Sequence, residues 1–249
     1  MKNNLKVVNG MNSFRDLTLI DLPSGDSLVI ACDVSAGIGA KKDDAVTSPI
    51  NVVAAGSLRV VLLELICFGA KLLCVVDTLG NEMDPTGVQV IKALKAELAS
   101  AGLSDVPING STEDNMATLT TSVGITAIAQ NERVARKADG TVSVYQFGEP
   151  RVGLTSLATL VSYDEVRRIR QRPEVIDMLP VGSKGIAYEV GQMAQTNQLL
   201  NYDREALADD YYSQSAGPAT VILVGVKKSA SEAFVHAFPD AVYVTDLKA

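Results

Sequence analysis

The segment 51–68 is almost wholly apolar, and Arg59 and Glu64 are its only charged residues. A run of this length and composition predicts a helix that is buried on most of its sides. Gly69 is expected to end it. Apolar runs typical of strands lie before it at 27–32 and after it at 72–76. This alternation of strand and helix predicts a mixed α/β fold.

A second helix is predicted over 85–101, with Asp84 as its N-cap, Pro85 at its first position and Gly102 after its end. A polar loop at 109–115 and a long strand at 117–129 follow. Neither face of that strand is more than mildly polar, and an exposed sheet of that kind tends to be covered.

A domain boundary is expected near 135–150, because 131–151 is rich in charged and turn residues, with a hairpin signal at Asp139–Gly140. We therefore expect domains at 1–140 and 148–249. In the second, the patterns predict helices at 162–171, 185–200 and 229–237, and strands at 219–226 and 241–245. The last strand, helix and strand are expected to form a β-α-β unit.

Composition excludes several classes of function. Lys and Arg number 22 against 29 Asp and Glu, for a net charge of −7, which argues against a general nucleic-acid binder. The N-terminus lacks the apolar core of a signal peptide, and no apolar run is clean enough to span a bilayer, so we expect a cytoplasmic protein without a membrane partner. The three cysteines are expected to be reduced and buried. The single histidine, His236, excludes a multi-histidine metal site and is interpreted as structural.

Carboxylates recur where strands or apolar helices meet loops. They are Asp16, Asp33, Asp77, Glu113 and Asp114, with Glu64 inside the apolar helix. Several converging carboxylates without thiolate or imidazole partners suit Mg²⁺, which prefers oxygen ligands and often bridges to substrate phosphates. Alternatively, they cap turns and helices or pair with Arg59, Lys41 and Lys42. For Asp77 we favour that structural interpretation.

Two glycine-containing loops are candidate phosphate-binding segments. The loop 35–42 contains a G-x-G pattern and two lysines, namely Gly37, Gly39, Lys41 and Lys42. It matches neither the Walker A motif nor the dinucleotide fingerprint, and a surface turn is the alternative. Residues 180–187 place glycines and a lysine before a helix, where free N–H groups can hold a phosphate or Ser183 can serve as an ordinary cap.

Taken in order, these segments resemble the AIR synthase-like ATP-binding superfamily, which includes aminoimidazole ribonucleotide synthase, thiamine-monophosphate kinase and selenophosphate synthetase. R-D-L-T-L-I (15–20) resembles the family's D-D-A-A-V segment and matches it at Asp16. V-I-A-C-D (29–33) resembles the strand that ends in T-D and matches it at Asp33.

Two further segments carry the resemblance. R-V-V-L-L-E-L-I-C-F-G-A (59–70) resembles the buried helix N-L-S-D-L-A-A-M-G-A and places Glu64 on its acid. G-S-T-E-D-N-M-A-T-L-T-T-S-V (110–123) resembles G-G-[DE]-T with the strand behind it, and places Glu113 on its acid. The match covers residues 15 to about 130 well and the remainder loosely.

The resemblance implies an N-terminal α/β domain that dimerises through its sheet, a C-terminal α/β domain, and ATP between them. Its phosphates would be held by Mg²⁺ on four acids, Asp16, Asp33, Glu64 and Glu113. Lys41 or Lys42 would contact phosphate, as would the backbone at Gly37, Gly39, Gly110, Ser111 and Thr112. Asp114 would orient or deprotonate the acceptor hydroxyl. The chain departs from the pattern at Arg15, where the kinases often carry a second acid, and at Ser111–Thr112, which replace the G-G pair.

Within the superfamily, I-A-C-D-V-S-A-G-I-G together with G-S-T-E-D-N-M most resembles the α-ribazole kinase type, which phosphorylates the 5′-hydroxyl of a benzimidazole riboside in cobamide salvage. The resemblance thus implies a homodimeric, ATP- and Mg²⁺-dependent small-molecule kinase. The alternatives are another activity of the superfamily, either aminoimidazole ribonucleotide formation or thiamine-phosphate phosphorylation, and a non-catalytic nucleotide-binding protein.

Overall fold

A computed structural model describes residues 11–138, 140–153 and 160–249. The chain divides into two compact units, of which unit 1 comprises the residues up to 132 without 66–68, and unit 2 comprises 66–68 and the residues from 133 onward. Asp139 lies outside the described residues, so the predicted turn at Asp139–Gly140 is not described in full. The predicted domain limits of 1–140 and 148–249 remain a prediction.

Unit 1 contains a six-stranded sheet with the order β1-β2-β3-β8-β6-β7. Its strands are β1 (Met11–Phe14), β2 (Leu17–Asp21), β3 (Ser27–Ala36), β6 (Ala70–Leu79), β7 (Ile108–Thr112) and β8 (Ser122–Asn131), and a separate pair is formed by β4 (Ile38–Gly39) and β5 (Val46–Thr47). Because β3 and β6 are each antiparallel to β8, and β7 is parallel to β6, the strands β3, β6 and β7 run in one direction. Their carboxyl ends therefore meet at one edge of the sheet, beside the start of β8.

Unit 1 also contains α1 (Ile50–Phe68) and α2 (Val88–Ser100). The predicted buried helix at 51–68 is confirmed as α1, in which Leu58, Val61 and Leu62 are at most 1% exposed. By length and composition α1 could also cross a membrane, contrary to the sequence-based expectation, but 56% of its most apolar stretch is buried inside the protein. That burial is typical of the core helix of a globular domain.

Three boundaries in unit 1 differ from the prediction. The second helix begins at Val88 rather than at Pro85. The Glu82 carboxylate accepts from the Thr86 hydroxyl, and the Glu82 carbonyl accepts from Gly87 N–H. These two hydrogen bonds hold 83–87 as a separate turn before the helix. Asp84 has extended backbone angles and caps nothing. Much of the predicted loop 109–115 belongs to β7, and the predicted strand 117–129 begins only at Ser122.

Unit 2 contains a four-stranded antiparallel sheet with the order β10-β11-β9-β12. Its strands are β9 (Val142–Phe147), β10 (Val175–Pro180), β11 (Ile222–Lys227) and β12 (Val242–Leu247), and its helices are α3 (Tyr163–Arg170), α4 (Gly185–Asn197), α5 (Asp210–Ser213) and α6 (Ser231–Ala237). The predicted final β-α-β unit is confirmed as β11, α6 and β12, and β9 lies between the two parallel strands and pairs with both. The mixed α/β class is confirmed.

The cysteines are free, as expected, but not all of them are buried. Cys67 is buried, Cys74 is partly exposed and Cys32 is exposed. Cys32 lies on the face of β3 opposite to the buried residues Val29 and Ala31, so alternation along the strand places its thiol on the outer face of the sheet.

A candidate site at the carboxyl edge of the unit 1 sheet

Three segments converge at the edge where β3, β6 and β7 end. They are the loop 37–48 after β3, the loop 80–87 after β6 and the segment 113–121 between β7 and β8. Ligands of α/β sheets usually bind just outside the carboxyl ends of parallel strands, among the loops that follow those strands. A functional site of unit 1 is therefore expected at this edge.

Asp33 on β3 and Asp77 on β6 lie on the same face of the sheet, one on each side of β8. Both are register partners of Ile125, so the two aspartates occupy one row across three strands. Burial raises the pKa of Asp33, against hydrogen bonds from the Ser57 side chain and the Val34 backbone. Burial also raises the pKa of Asp77, which is 3% exposed and is opposed only by its own backbone N–H. Buried carboxylates with raised pKa values are uncommon outside functional sites.

Gly110 makes room for the Asp77 carboxylate. It pairs with Asp77 across β6 and β7, and a Cβ atom at this position would overlap Asp77 Oδ1. The glycine is therefore explained by the position of Asp77. The predicted contact of its backbone with phosphate stays a prediction.

Asp44 fastens the loop after β3 to the segment before β8. Its carboxylate accepts from Thr121 N–H at 2.6 Å, from the Thr121 hydroxyl at 2.7 Å and from Lys41 N–H at 2.8 Å. Burial acts to raise the pKa of Asp44, but these hydrogen bonds and the Lys41 charge together hold it below its ordinary value. Gly39 lies against the same contact, where a Cβ atom would overlap Thr121 Oγ1. Gly37 N–H donates to Thr121 O at 2.8 Å.

Asn81, which follows β6 after Gly80 and is fully buried, joins the second loop to the same segment. Its side-chain Nδ2 donates to Thr118 Oγ1 at 2.7 Å and to Thr120 O at 2.8 Å, and its Oδ1 accepts from Ser122 N–H at 2.8 Å. These bonds, with those of Asp44, use the backbone groups that a longer β8 would need for its ladder. They explain why the strand does not extend to residue 117.

Lys41 forms an ion pair with Glu82. Its Nζ lies 2.7 Å from Glu82 Oε2 and 3.3 Å from Thr118 O. The hydrogen bond from Lys41, followed by that from Thr86, lowers the pKa of Glu82 to about 2. The predicted phosphate-binding lysine is thus held at the edge of the sheet by a carboxylate that stays ionised. Lys42, the other candidate, is exposed.

Glu113 and Asp114 follow β7 and make different contacts. Glu113 Oε1 accepts from the backbone N–H and the side-chain amide of Asn115, both at 2.9 Å. Asp114 accepts from Met83 N–H at 2.8 Å and from the Thr112 hydroxyl at 2.9 Å. Asp114 therefore joins two loops, whereas the Glu113 carboxylate bonds only within its own turn. Ser111 and Thr112, predicted in a loop, lie on β7.

Two predicted metal ligands, Asp16 and Glu64, lie outside the row of Asp33 and Asp77. Asp16 comes directly before β2, which is antiparallel to β3, so it lies towards the same end of β3 as Asp33. Asp16 is exposed in the two-residue turn between β1 and β2, beside Arg15, whose φ is 54° and whose guanidinium lies 5.0 Å from the Phe14 ring centroid. Glu64 lies on α1 and is partly exposed. Within the described residues, no group of three or more His, Cys, Asp or Glu side chains is placed to hold a metal ion. The four acids are therefore not assembled into one site.

Mg²⁺ does not require such a group, since it is commonly held by one or two carboxylates with waters and substrate phosphates completing its shell. Asp33 and Asp77 offer oxygen ligands whose burial leaves their charge poorly compensated, and a cation would compensate it. The donor chemistry at this edge fits Mg²⁺ on a phosphate ligand.

For Asp77 the sequence favoured a structural role, and it did not single out Asn81, Asp44 or Glu82. Asp77 follows an apolar strand, as Asp33 does, and that shared pattern was a usable signal. Asn81 and Glu82 gave none, because their roles depend on side chains from loops distant in the sequence.

Comparison with known proteins shows the fold. No family model matches the sequence, and no curated protein sequence does. A thiamine monophosphate kinase from Aquifex aeolicus is similar in structure, with a TM-score of 0.62 and 14% identity over 94% of this chain and 89% of that one. AaThiL complexed with AMPPCP and TMP is similar with a TM-score of 0.61 and 13% identity, over 98% of this chain and 86% of that one. PurL of T. maritima complexed with AMPPCP is similar with a TM-score of 0.61 and 13% identity, over 98% of this chain and 42% of that one. The chain thus has the AIR synthase-like fold.

Proposed function

We propose that this protein is an ATP- and Mg²⁺-dependent small-molecule kinase whose nucleotide phosphates bind at the carboxyl edge of the unit 1 sheet. The observation that carries the proposal is the row of a partly buried Asp33 and a buried Asp77, whose pKa values are both raised, at that edge. Structural neighbours crystallised with AMPPCP support the choice of nucleotide. Phosphoryl transfer needs positioning and charge neutralisation more than a reactive side chain, which suits a site without histidine or thiolate.

The acids at this edge divide into two roles. Asp33 and Asp77 would hold Mg²⁺, with Glu113 as a further ligand, since its carboxylate bonds only to Asn115. A bound Mg²⁺ would neutralise charge on the phosphates. Asp44 and Asp114 instead shape the loops around the site, because each accepts hydrogen bonds from two separate residues. We assign Asp114 a positioning role before a catalytic one.

Lys41 would supply a positive charge to the phosphates. Its ammonium is oriented by Glu82 Oε2 and by Thr118 O, so it is already fixed at the edge. A fixed cation costs no reorganisation when the phosphate arrives, which is the condition for effective electrostatic stabilisation. Arg15 remains a departure from the kinase pattern, and its turn lies at the opposite side of β3 from β8 in the strand order.

We propose α-ribazole as the acceptor, on the resemblance of residues 29–39 and 110–116 to that kinase type. The test is ADP formation from ATP and Mg²⁺ with α-ribazole, with thiamine phosphate or with no acceptor, followed by identification of the product. We expect ADP only with α-ribazole, and a phosphorylated riboside. ADP formed with thiamine phosphate alone would assign the related activity. Nucleotide binding without turnover in any mixture would favour a non-catalytic nucleotide-binding protein.

We further propose that unit 1 forms a homodimer through the outer face of its sheet. Val34 on that face is 70% exposed, and Cys32 beside it is exposed. Ile30, Val76 and Ile128 lie on the same face and are only partly buried. An apolar strand surface of this kind is normally covered, and a second copy would cover it with an identical face.

A further inference from the structure

Three arginines of unit 2, Arg133, Arg136 and Arg170, lie close together and form what we call the arginine cluster. Arg170 Nη2 donates to Phe68 O at 3.2 Å, and the Arg133 guanidinium lies 5.0 Å from the centroid of the Phe68 ring. Phe68 belongs to unit 2 as well. Arg136 Nη1 donates to Arg170 O at 3.4 Å. All three arginines are partly exposed, so a ligand can reach the cluster from solvent, and none of them belongs to the candidate site of unit 1.

Backbone carbonyls account for the position of Arg136. Its Nη1 also donates to Arg172 O and, at 2.6 Å, to Val175 O. Carbonyls at and just after the end of α3 thus accept from this guanidinium, and a cation is favourable at a helix C-terminus. These bonds pair the Arg136 charge with no carboxylate. In the described part of unit 2, neither Arg136 nor Arg170 forms an ion pair.

Two nitrogens of Arg170 lack an acceptor. Its Nε and Nη1 are buried, and neither has a hydrogen-bond partner among the residues that the structure describes. Burial, followed by the charges of Arg136 and Arg133, lowers the pKa of Arg170. Buried polar groups are nearly always hydrogen-bonded, and burial of a charged group is costly without a counter-charge. The Arg170 guanidinium therefore calls for an anion that the described residues do not supply.

The acids near Arg170 are already engaged by other groups. The charge of Asp177 acts on Arg170 in the opposite direction to the two arginines, but the Asp177 carboxylate accepts from Asn197 Nδ2 at 2.6 Å. Glu174 accepts from Arg172 Nε at 2.7 Å. The arginine cluster thus keeps an excess of positive charge, in a chain whose net charge is −7.

We infer that the arginine cluster binds a small phosphate anion, either inorganic phosphate or the phosphate group of a monoester. Planar guanidinium groups donate in pairs to phosphate oxygens, which makes arginine the preferred residue for this group. An oxygen placed between the guanidiniums would give Arg170 Nε and Nη1 the acceptors that they lack. A dianion would offset the charge of two arginines, whereas a monocarboxylate would offset only one. A nucleic acid is disfavoured as the source of the phosphate, because the chain carries a net charge of −7.

This inference does not rest on the proposed kinase activity, because it uses residues of unit 2 alone and needs no metal. The test is calorimetric titration of the full chain with inorganic phosphate, glycerol phosphate and acetate, at constant ionic strength and with EDTA present to remove Mg²⁺. We expect saturable binding of one or both phosphates, and the tighter of the two assigns the free anion or the monoester. Acetate should bind more weakly by about tenfold or more, the order of one lost charge-assisted hydrogen bond.

Arg133→Gln and Arg170→Gln should each weaken phosphate binding about tenfold or more, for the same reason. Arg204→Gln is the matched control, because the Arg204 guanidinium also lies over an aromatic ring, 4.9 Å from the centroid of Tyr202, but outside the cluster. Lys41→Met tests whether the anion binds instead at the edge of the unit 1 sheet. Both Arg204→Gln and Lys41→Met should leave the affinity for phosphate unchanged.

Absence of saturable binding by both phosphates would overturn the inference, and so would acetate that binds as tightly as either. Full affinity in both Arg133→Gln and Arg170→Gln, or loss of affinity in Lys41→Met, would place the anion elsewhere and contradict the assignment. Arg133 is partly exposed, so its variant keeps the inference testable even if Arg170→Gln impairs folding. These results are independent of ATP turnover, so failure of the arginine cluster and failure of the proposed kinase activity are distinguishable.

Discussion

Asp33 and Asp77 face the same side of the unit 1 sheet as register partners of one residue, Ile125, from opposite sides of β8. Strands are about 4.8 Å apart, so the two backbones are separated by roughly 10 Å, which leaves space for a ligand bound between the carboxylates. Burial raises the pKa of both. A pair of acids whose ionisation is disfavoured by the fold is retained at some cost in stability, as expected for residues kept for function.

Asp77→Asn should therefore stabilise the protein at neutral pH. Because the pKa of Asp77 is raised in the folded protein, ionisation of this group opposes folding. Below its ordinary pKa of 3.8 the protonated acid stabilises the folded state, and this contribution is lost as the pH rises through the raised pKa. We expect a gain of about 1–3 kcal/mol at pH 7, the scale of an uncompensated buried polar group, which disappears below pH 3.8. Thermal unfolding across this pH range measures it.

Asp105→Asn, at an exposed position after α2, is the control and should show no such pH-dependent gain. If Asp77→Asn is less stable than the wild type at pH 7, the fold stabilises the ionised Asp77 carboxylate. That result would contradict a site built on an acid whose ionisation the fold disfavours.

Glu82→Gln should destabilise the protein with the opposite pH dependence. The pKa of about 2, lowered chiefly by the Lys41 hydrogen bond, means that ionised Glu82 stabilises the fold above its ordinary value of 4.5, and that this contribution is lost as the pH falls towards 2. We expect a loss of about 1–2 kcal/mol at pH 7, discounted for partial exposure. The difference from the wild type should shrink between pH 4.5 and 2. Glu132→Gln, at an exposed glutamate, serves as the reference, and a difference independent of pH would show that the ion pair is not its source.

Glu113→Gln should lower turnover and leave the fold intact. The Glu113 carboxylate bonds only within its own turn, so an isosteric amide should change the melting temperature little. Loss of a metal ligand should raise the activation free energy by on the order of 3 kcal/mol, or about a hundredfold in rate. Asp114→Asn should instead reduce stability, because Asp114 joins two loops. Unchanged turnover in Glu113→Gln with collapsed turnover in Asp114→Asn would show that the roles are reversed. Unchanged turnover in both would remove this turn from the site.

Val34→Glu should convert the proposed dimer to a monomer, because it places a charge on the apolar outer face. Sedimentation velocity at micromolar concentration measures the change. Val134→Glu is the matched control, since Val134 is 72% exposed and lies in no strand. A wild-type protein that sediments as a monomer would contradict the dimer, as would a dimer that tolerates Val34→Glu.

Sequence reasoning predicted the elements whose signal is local. The apolar run of α1 and the strands leading to Asp33 and Asp77 depend on composition and period alone, and the structure confirms them. Strands β9 and β10 were missed, because they are buried on both faces and lack the alternation that marks a half-buried strand. The start of β8 was misplaced because the Asn81 and Asp44 side chains compete for its backbone groups. Such long-range side-chain contacts leave no local pattern.

At the site, the sequence identified Asp33 as a candidate because it follows an apolar strand. Asp77 follows an apolar strand in the same way. The convergence of the three loops could not be predicted, because it depends on β3, β6 and β7 running in one direction. Lys41, one of the two predicted phosphate-binding lysines, lies at this edge, but its partner Glu82 lies 41 residues away in the chain.

Calorimetric titration with AMPPCP tests the central claim most directly, in the presence and absence of Mg²⁺, for the wild type, Asp33→Asn and the control Asp105→Asn. We expect Mg²⁺ to strengthen binding to the wild type and to Asp105→Asn. Asp33→Asn should lose most of this gain while keeping its fold by circular dichroism. Equal affinity with and without Mg²⁺ in the wild type, or an undiminished Mg²⁺ effect in Asp33→Asn, would contradict a magnesium–nucleotide site at the carboxyl edge of this sheet.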